Sequence, residues 1–444
     1  MEQSLEQQIE LVSQKFLQLP KEKEIQIISH FDTDGISSAT IMAKALRNID
    51  RKFSIRIIKS IEEQFIYDLP KEKITIFLDL ASGSLNHLKK SGMNLEEVFI
   101  IDHHEIIQEV PREINIINSE LHKKEKMSGS CLTYLFCRKI NPEIKEYAKL
   151  AILGMIGDLL EKEVDKLNNN ILDEGEIKRK RGLLIYPSTR PINKVLEFSS
   201  NPYIPEVTGN VQGVLELLRE IGLKPVNGKY KSLLELDEKE MTKLVTAIML
   251  KNPKAKNKEI IGDIFLLKLF NKLEDARELS AMINACSRMG RSDLAIQLLM
   301  EIPQARKKAE TLYAKYRQHI VSGLKYAEET KKIKGKGFII INAKDQIKDT
   351  IIGTIASILS FSSIYEEGTI IITMARYGSK TKVSSRNVGG TGRNVREVLN
   401  SVITEIGGEV GGHEFAAGCI IETQNEEDFI TLLTKNLEVE MVKI

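Results

Sequence analysis

The apolar positions of this chain follow two rhythms, and the places where they change mark its organisation. Between residues 21 and 165, short Ile-rich runs alternate with helical patterns. "EIQIIS" (24–29), "SIRIIK" (54–59), "KITIFLD" (73–79), "EVFIID" (97–102) and "INIIN" (114–118) are nearly continuous in apolar residues. Strands of a parallel sheet covered on both faces have that character. "GISSATIMAKALRNI" and "SCLTYLFCRKI" place apolar residues at helical spacing instead. The alternation predicts an α/β, doubly wound domain.

From about 166 the rhythm changes. "NNNILDEGEIKRKRG" is polar and charged, and the pattern beyond it predicts helices, with turn signals at "SSNPYIPEVTGN" and "KPVNGKY". Residues 303–334 predict one extended connecting helix, entered near Pro303. At 335 a second, smaller α/β pattern opens with the strand "GFIIIN" and the helix "DTIIGTIASILSFSS". A hairpin turning at Gly378-Ser379, a helix around 393–406 and the glycine-rich "GGEVGGHEFAAG" follow. Three domains are expected: 1–165, a helical insert with its connecting helix at 166–334, and 335–444.

Composition narrows the function classes. Lys+Arg 64 against Asp+Glu 62 gives a net charge of +2, so no global basic field announces a polyanion, and any nucleic-acid site has to be a local patch. Cys131, Cys137, Cys286 and Cys419 form no CxxC pair, which favours small buried residues in a reducing compartment over zinc or disulfides. The N-terminal segment is charged throughout, and no stretch approaches 18 apolar residues. The expectation is a cytoplasmic protein with no membrane partner.

The chemistry lies at strand ends. "IISHFDTDG" leaves one strand with His30, Asp32 and Asp34, "IFLDLASG" leaves another with Asp79, and "FIIDHHE" leaves a third with Asp102, His103 and His104. In an open parallel sheet those ends line one ligand-binding edge. If the backbone stays extended through His30-x-Asp32-x-Asp34, all three side chains point the same way. Singly, each residue has a structural explanation, since an aspartate after a strand commonly caps a helix. Jointly, so many carboxylates in one cleft require cations. A carboxylate and imidazole shell without thiolates suits manganese or magnesium better than zinc.

HFDTDG, LDLASG, IDHH and the later "AILGMIGD" resemble the four motifs of the DHH phosphoesterase superfamily, over about 24–160 and again from near 335. The layout is similar to RecJ-like exonucleases, and "RPINKVLEFSSNPYIPEVTG" resembles the archaeal members. The resemblance implies two divalent cations, manganese preferred and magnesium the substitute. One would be held by His30, Asp32 and Asp79, the other by Asp34, Asp79, His103 and Asp158, with Asp79 bridging. Asp102 would support the catalytic group from close range and His104 would lie near substrate phosphate. "GGEVGGHEFAAGC" resembles the GGH signature of the DHH-associated domain, and "KVSSRN" its arginine-bearing strand. Arg386 and His413, with Gly411 and Gly412, are then implied to grip substrate phosphate across an interdomain cleft, with Arg393 and Arg376 as auxiliaries. "GGTG" at 389–392 lacks the spacing and the Lys-Ser/Thr of a nucleotide fingerprint.

The implied function is hydrolysis of phosphodiester bonds at one end of single-stranded DNA or RNA, in replication or repair. The basic segments 178–181 and 251–258 and the connecting helix would guide the backbone. Aromatic content of 6% without tryptophan leaves base stacking to scattered Phe and Tyr. The alternatives are a phosphodiesterase of short oligonucleotides or cyclic dinucleotides, and a replication-helicase scaffold with little or no catalysis.

Overall fold

The five Ile-rich runs form one parallel sheet. The structure is a computed structural model that describes residues 4–439 apart from 107, 123–125, 163, 200, 201, 203, 252–259 and 363. Strands β1 (Ile25–His30), β2 (Phe53–Ile58), β3 (Ile74–Leu78), β4 (Val98–Asp102) and β5 (Asn115–Asn118) pair in the order β2-β1-β3-β4-β5. All four pairings are parallel. The three inner strands are buried at nearly every position, whereas the edge strand β2 alternates and exposes Ser54 and Arg56. Ile28, Phe77 and Ile100 pack on one face with Leu85 and Leu88. On the other face Phe16 meets Phe99 and Phe136 edge-on at 5.5 and 5.6 Å. The chain steps outward from β1 to β2, then crosses back to β3 on the other side of β1. The gap between β1 and β3 is therefore the switch point where open α/β sheets bind ligands.

The chain divides into two compact units, residues 1–190, 232–235 and 261–313 in the first and 191–231, 236–260 and 314–444 in the second. The insert is not wholly helical. In the first unit β6 (Lys178–Leu183), β7 (Ile261–Leu269) and β8 (Lys272–Asp275) form an antiparallel sheet in the order β6-β7-β8. The basic run 178–181 is the first of these strands. Arg179 and Arg181 share Asp263 at 2.5 and 3.8 Å, and Lys180 Nζ donates to the Leu234 carbonyl at 2.7 Å. Arg179 and Lys180 are thereby tied into the sheet, while the side chains of Lys178 and Arg181 stay exposed. The basic run 251–258 lies, after Lys251, outside the described residues. The connecting helix is shorter than its pattern, Ala305–Glu329, because residues 333–335 leave it to pair as a strand.

In the second unit β9 (Ile333–Gly335), β10 (Phe338–Asn342), β11 (Ile370–Tyr377), β12 (Lys380–Asn387), β13 (Glu409–His413) and β14 (Ala416–Glu422) form a mixed sheet ordered β13-β14-β12-β11-β10-β9. Its core packs Val383, Cys419 and Ile421 against Val398, Leu399, Phe429 and Leu433 of helices Val395–Ile406 and Glu426–Val439. All four cysteines are free and buried. Among the described residues, no helix is long and apolar enough to cross a membrane.

Candidate metal centre

The first cluster is set by where three parallel strands stop. His30 ends β1, Asp102 ends β4, and Asp79 is the residue after β3. Asp79 adopts φ +58, a left-handed conformation that only Asn, Asp and Gly tolerate well. Its amide donates to the Ile101 carbonyl at 2.9 Å, which holds the residue in that bend. Strain of this kind persists where the surroundings over-determine it, and it collects at functional sites.

The extended alternation expected through His30-x-Asp32-x-Asp34 does not occur. Asp32 is the N-cap of the Thr33–Asn48 helix, with Oδ1 accepting from Gly35 N at 3.0 Å. Asp34 therefore sits in the first helical turn, and the cluster is assembled by a strand-to-helix bend instead. Gly35 is required at that bend, because a Cβ there would lie 2.3 Å from the His30 carbonyl oxygen.

The implied ligands nevertheless converge. His30 Nδ1 lies 2.9 Å from Asp32 Oδ2 and 3.4 Å from Asp79 Oδ2. His103 Nε2 lies 3.1 Å from Asp158 Oδ2, 3.2 Å from Asp79 Oδ1 and 3.8 Å from Asp34 Oδ2. Two donor sets result, His30/Asp32/Asp79 and Asp34/Asp79/His103/Asp158, each with its ligand atoms within 4.8 Å of one another. A third grouping joins Asp79, His103 and His104.

Left to its own side chains, the cluster is charge-frustrated. Burial opposes a charged imidazole at His30, yet the adjacent Asp32 and Asp79 carboxylates raise its pKa to about 11. Burial and the neighbouring Asp158 and Asp79 charges push Asp34 well above the usual carboxylate range. Burial, only partly offset by His103, pushes Asp158 up to about 6. Each of these groups is thereby drawn toward its protonated form. Asp34 Oδ2, both Asp79 carboxylate oxygens, His30 Nδ1 and His103 Nε2 are buried without a well-aligned hydrogen-bond partner. Buried polar atoms are seldom left so, and these are all donors of the kind a hard divalent cation takes. The residues of either donor set could hold a divalent cation, and Asp79 belongs to both.

Asp102 plays a different part. Its Oδ1 accepts from the amides of His103 (2.8 Å) and His104 (3.2 Å) and contacts His104 Nδ1 at 2.7 Å, while Oδ2 accepts from Ser82 N at 3.0 Å. These donors, outweighing burial, hold its carboxyl well below the ordinary range. Both of its oxygens are engaged by the turn that carries the two histidines, which is the arrangement of a positioning residue. Asp102→Asn puts an amide against one of these donors, and hydrolysis or manganese affinity is expected to fall roughly 10–100-fold. Manganese titration calorimetry together with steady-state rates would check this, and an unchanged affinity and rate would contradict it.

In the second unit, β12 and β13 flank β14. Arg386 pairs with Ala416, and Ala416 with His413. The two implied phosphate-binding residues thus share one cross-strand row, about 10 Å apart by strand spacing. Arg386 Nε donates to Ser357 Oγ at 3.1 Å and Nη1 to the Ser385 carbonyl at 2.7 Å. His413 is exposed, as are Gly411 and Gly412. Gly412 has φ +115, and a Cβ there would lie 2.4 Å from the Ala416 carbonyl oxygen. Arg376, read as an auxiliary, is instead tied to Glu426 through Nε (2.9 Å) and Nη2 (3.1 Å). That buried carboxylate also accepts from Thr381, so Arg376 is structural.

Comparison with known proteins agrees in order along the chain. The N-terminal domain model of the DHH family matches residues 24–155, the DHH-CID domain 185–259 and the DHHA1 domain 327–438. The chain thus carries a DHH-family N-terminal domain together with DHH-CID and DHHA1 domains. An uncharacterised protein of Methanocaldococcus jannaschii is 28% identical over 425 residues, covering 91% of each chain. The exonuclease RecJ bound to manganese superposes with a TM-score of 0.60 at 16% identity, covering 97% of this chain and 93% of that one. CDC45 from Entamoeba histolytica superposes with a TM-score of 0.63 at 10% identity, covering 96% and 97%. At these identities the structures establish a shared fold. This DHH fold and its Asp/His cluster support a metal-dependent phosphoesterase.

The strand-end reading missed the residues that hold the DHH-family ligands in place. Ser130 N donates to Asp34 Oδ1 at 3.0 Å from the start of the Gly129–Ile140 helix. Asn118 Nδ2 reaches both Ser82 Oγ (2.8 Å) and the His104 carbonyl (3.0 Å). Asn284 Oδ1 accepts from Thr33 N at 3.1 Å, so the insert helix Ala276–Arg288 braces the loop between Asp32 and Asp34. "SGS" at 128–130 was a visible helix-start signal; nothing in the sequence linked Asn284 to residue 33.

Proposed function

We propose that this chain is a two-metal-dependent exonuclease, manganese preferred, that hydrolyses phosphodiester bonds at an end of single-stranded DNA or RNA. The observation that carries the reading is the pair of donor sets sharing Asp79, with five buried donor atoms lacking well-aligned hydrogen bonds. His30, Asp32 and Asp79 would hold one ion, and Asp34, Asp79, His103 and Asp158 the other. Bound divalent cations supply charge neutralisation and an activated water for in-line displacement at phosphorus. The protein positions and donates. His104 leaves its Nδ1 on Asp102, which raises its pKa, and its side chain is 43% exposed. In its protonated form, its Nε2–H would be a charged donor for a phosphate oxygen. Arg386 and His413 would take a second phosphate of the strand, Arg386 by its planar fork.

The DHH-family fold match to manganese-bound RecJ supports the choice of metal and substrate. The likeness to CDC45 leaves room for a second reading, a part in a replication complex. A scaffold without catalysis has no use for a buried, unsatisfied donor cluster, so any docking role would accompany catalysis. Single strands labelled at either end, as DNA and RNA, incubated with manganese or magnesium, test this. A ladder shortening from one end is expected, and no cleavage, or faster cleavage of dinucleotides than of 20-mers, would overturn it. Arg386→Ala is expected to raise KM for the strand roughly 10-fold or more, the scale of losing a charged hydrogen bond, with kcat changed less than about threefold. A loss confined to kcat would remove Arg386 from phosphate binding.

A further inference from the structure

A cavity of about 390 Å³ lies in the first unit beside the metal centre, and the ligand residues do not account for it. Its position follows from the sheet. The parallel register of β1 and β2 puts Ile58 next to His30, so the carboxyl end of β2 opens on the same edge as the ligands. Ile57, Ile58 and Lys59 form one wall, and Phe31 forms another. The facing side is the end of the insert helix Ala276–Arg288 and the turn after it, including Ser287 and Asp293. Asp293 is engaged by Arg291 through two 2.8 Å contacts.

Three features of this cavity point to one ligand chemistry. Phe31 stands in sequence between two implied ligands, His30 and Asp32, and is half-buried, with its ring edge-on to His30 at 5.0 Å between centroids. An aromatic ring presented at that place is a stacking surface immediately beside the phosphate chemistry. Ser287, 4% exposed, is among the residues lining the cavity, and its buried hydroxyl has no hydrogen-bond partner. A hydroxyl so placed can donate to or accept from a planar heterocycle. The walls are also fixed relative to each other. Thr33 N donates to Asn284 Oδ1 at 3.1 Å and Thr33 Oγ1 to the Ser280 carbonyl at 3.0 Å, one turn or two before Ser287 on the same helix. The site is built before any ligand arrives.

We propose that this cavity receives the nucleobase of the nucleotide whose phosphate sits at the metal centre, stacked on Phe31 and hydrogen-bonded by Ser287. The assignment rests on the phosphodiesterase reading for the phosphate, but it makes its own claim about the base. It assigns the insert helix a share in substrate recognition, and it names one of the scattered phenylalanines as a stacking platform in a chain without tryptophan.

The test separates the two claims by measuring binding without turnover. Adenosine 5′-monophosphate and ribose 5-phosphate are titrated calorimetrically into the full chain with manganese present. The nucleotide is expected to bind at least about 10-fold tighter than the base-free phosphate. Phe31→Leu, which keeps an apolar wall but removes the ring, should cut that ratio about fivefold or more. Ser287→Ala, which removes only the hydroxyl, should cut it about threefold. Equal affinities for the two probes in the native chain, or an undiminished ratio in both variants, would overturn the proposal. A base preference lost in the variants, in a protein that cleaves no single strand, would leave the subsite standing and sink the exonuclease reading instead.

Discussion

Asp79→Asn is expected to abolish hydrolysis, by about 10³-fold or more in kcat/KM, while leaving the metal-free protein as stable as the native chain or more so. The two halves of that result have one cause. Asp79 is 1% exposed, has no well-aligned hydrogen bond to either oxygen, and contributes to every donor set in the cluster. Burying such a carboxylate costs folding free energy, recovered only when cations bind. Neutralising it relieves the cost and removes the one residue both ions would share. Asparagine is the informative substitution because the backbone there has φ +58. Asn accepts that conformation, whereas Ala adds roughly 1–2 kcal/mol of left-handed strain and would confuse a lost ligand with a damaged fold.

Thermal unfolding supplies the second readout. A ligand at about 100 times its Kd stabilises the native state by about 2.7 kcal/mol. In a domain of this size that is a rise of roughly 5 °C in Tm. Manganese should produce a shift of that order in the native chain and almost none in the Asn variant, with EDTA reversing the former. A retained manganese shift, or hydrolysis above a few per cent of native, would remove Asp79 from the bridging position.

How much of this was legible in the sequence depends on how local each determinant is. β1, β3, β4 and β5 announce themselves because strands buried on both faces must be apolar throughout, and their ends deliver His30, Asp79, Asp102 and His103 to one edge by topology alone. The direction of Asp34 was not legible. An extended HxDxD and a helix starting at Thr33 satisfy the same letters, and the Asp32 cap on Gly35 decides between them. The insert sheet was hidden for the opposite reason. β6 reads "KRKRGL", with its charges answered by Asp263, a residue far along the chain. Likewise, that Arg386 and His413 fall in one row is a fact of register through Ala416, which no spacing in the sequence reveals.

Gly154→Ala is the complementary case, a residue that touches no substrate and is expected to disable the centre. "AILGMIGD" drew notice for Asp158, yet the glycine inside it holds open the space Asp34 occupies. A Cβ at 154 would lie 2.1 Å from Ser130 Oγ and 2.3 Å from Asp34 Oδ1. Neither can retreat easily, because Ser130 Oγ is bonded to the Ala151 carbonyl at 2.9 Å and Asp34 to Ser130 N at 3.0 Å. Overpacking of this kind costs about 1–3 kcal/mol, a fall of several degrees in Tm. The displaced Asp34 carboxylate should lower manganese affinity and hydrolysis by about 10²-fold. Adding Ser130→Ala removes the closest clash and leaves those with Asp34 Oδ1 at 2.3 Å and with the Cβ of residue 130 at 2.8 Å. The double variant should therefore recover part of the lost Tm without recovering hydrolysis. If it regains both together, the glycine serves packing alone and the placement of Asp34 does not depend on it.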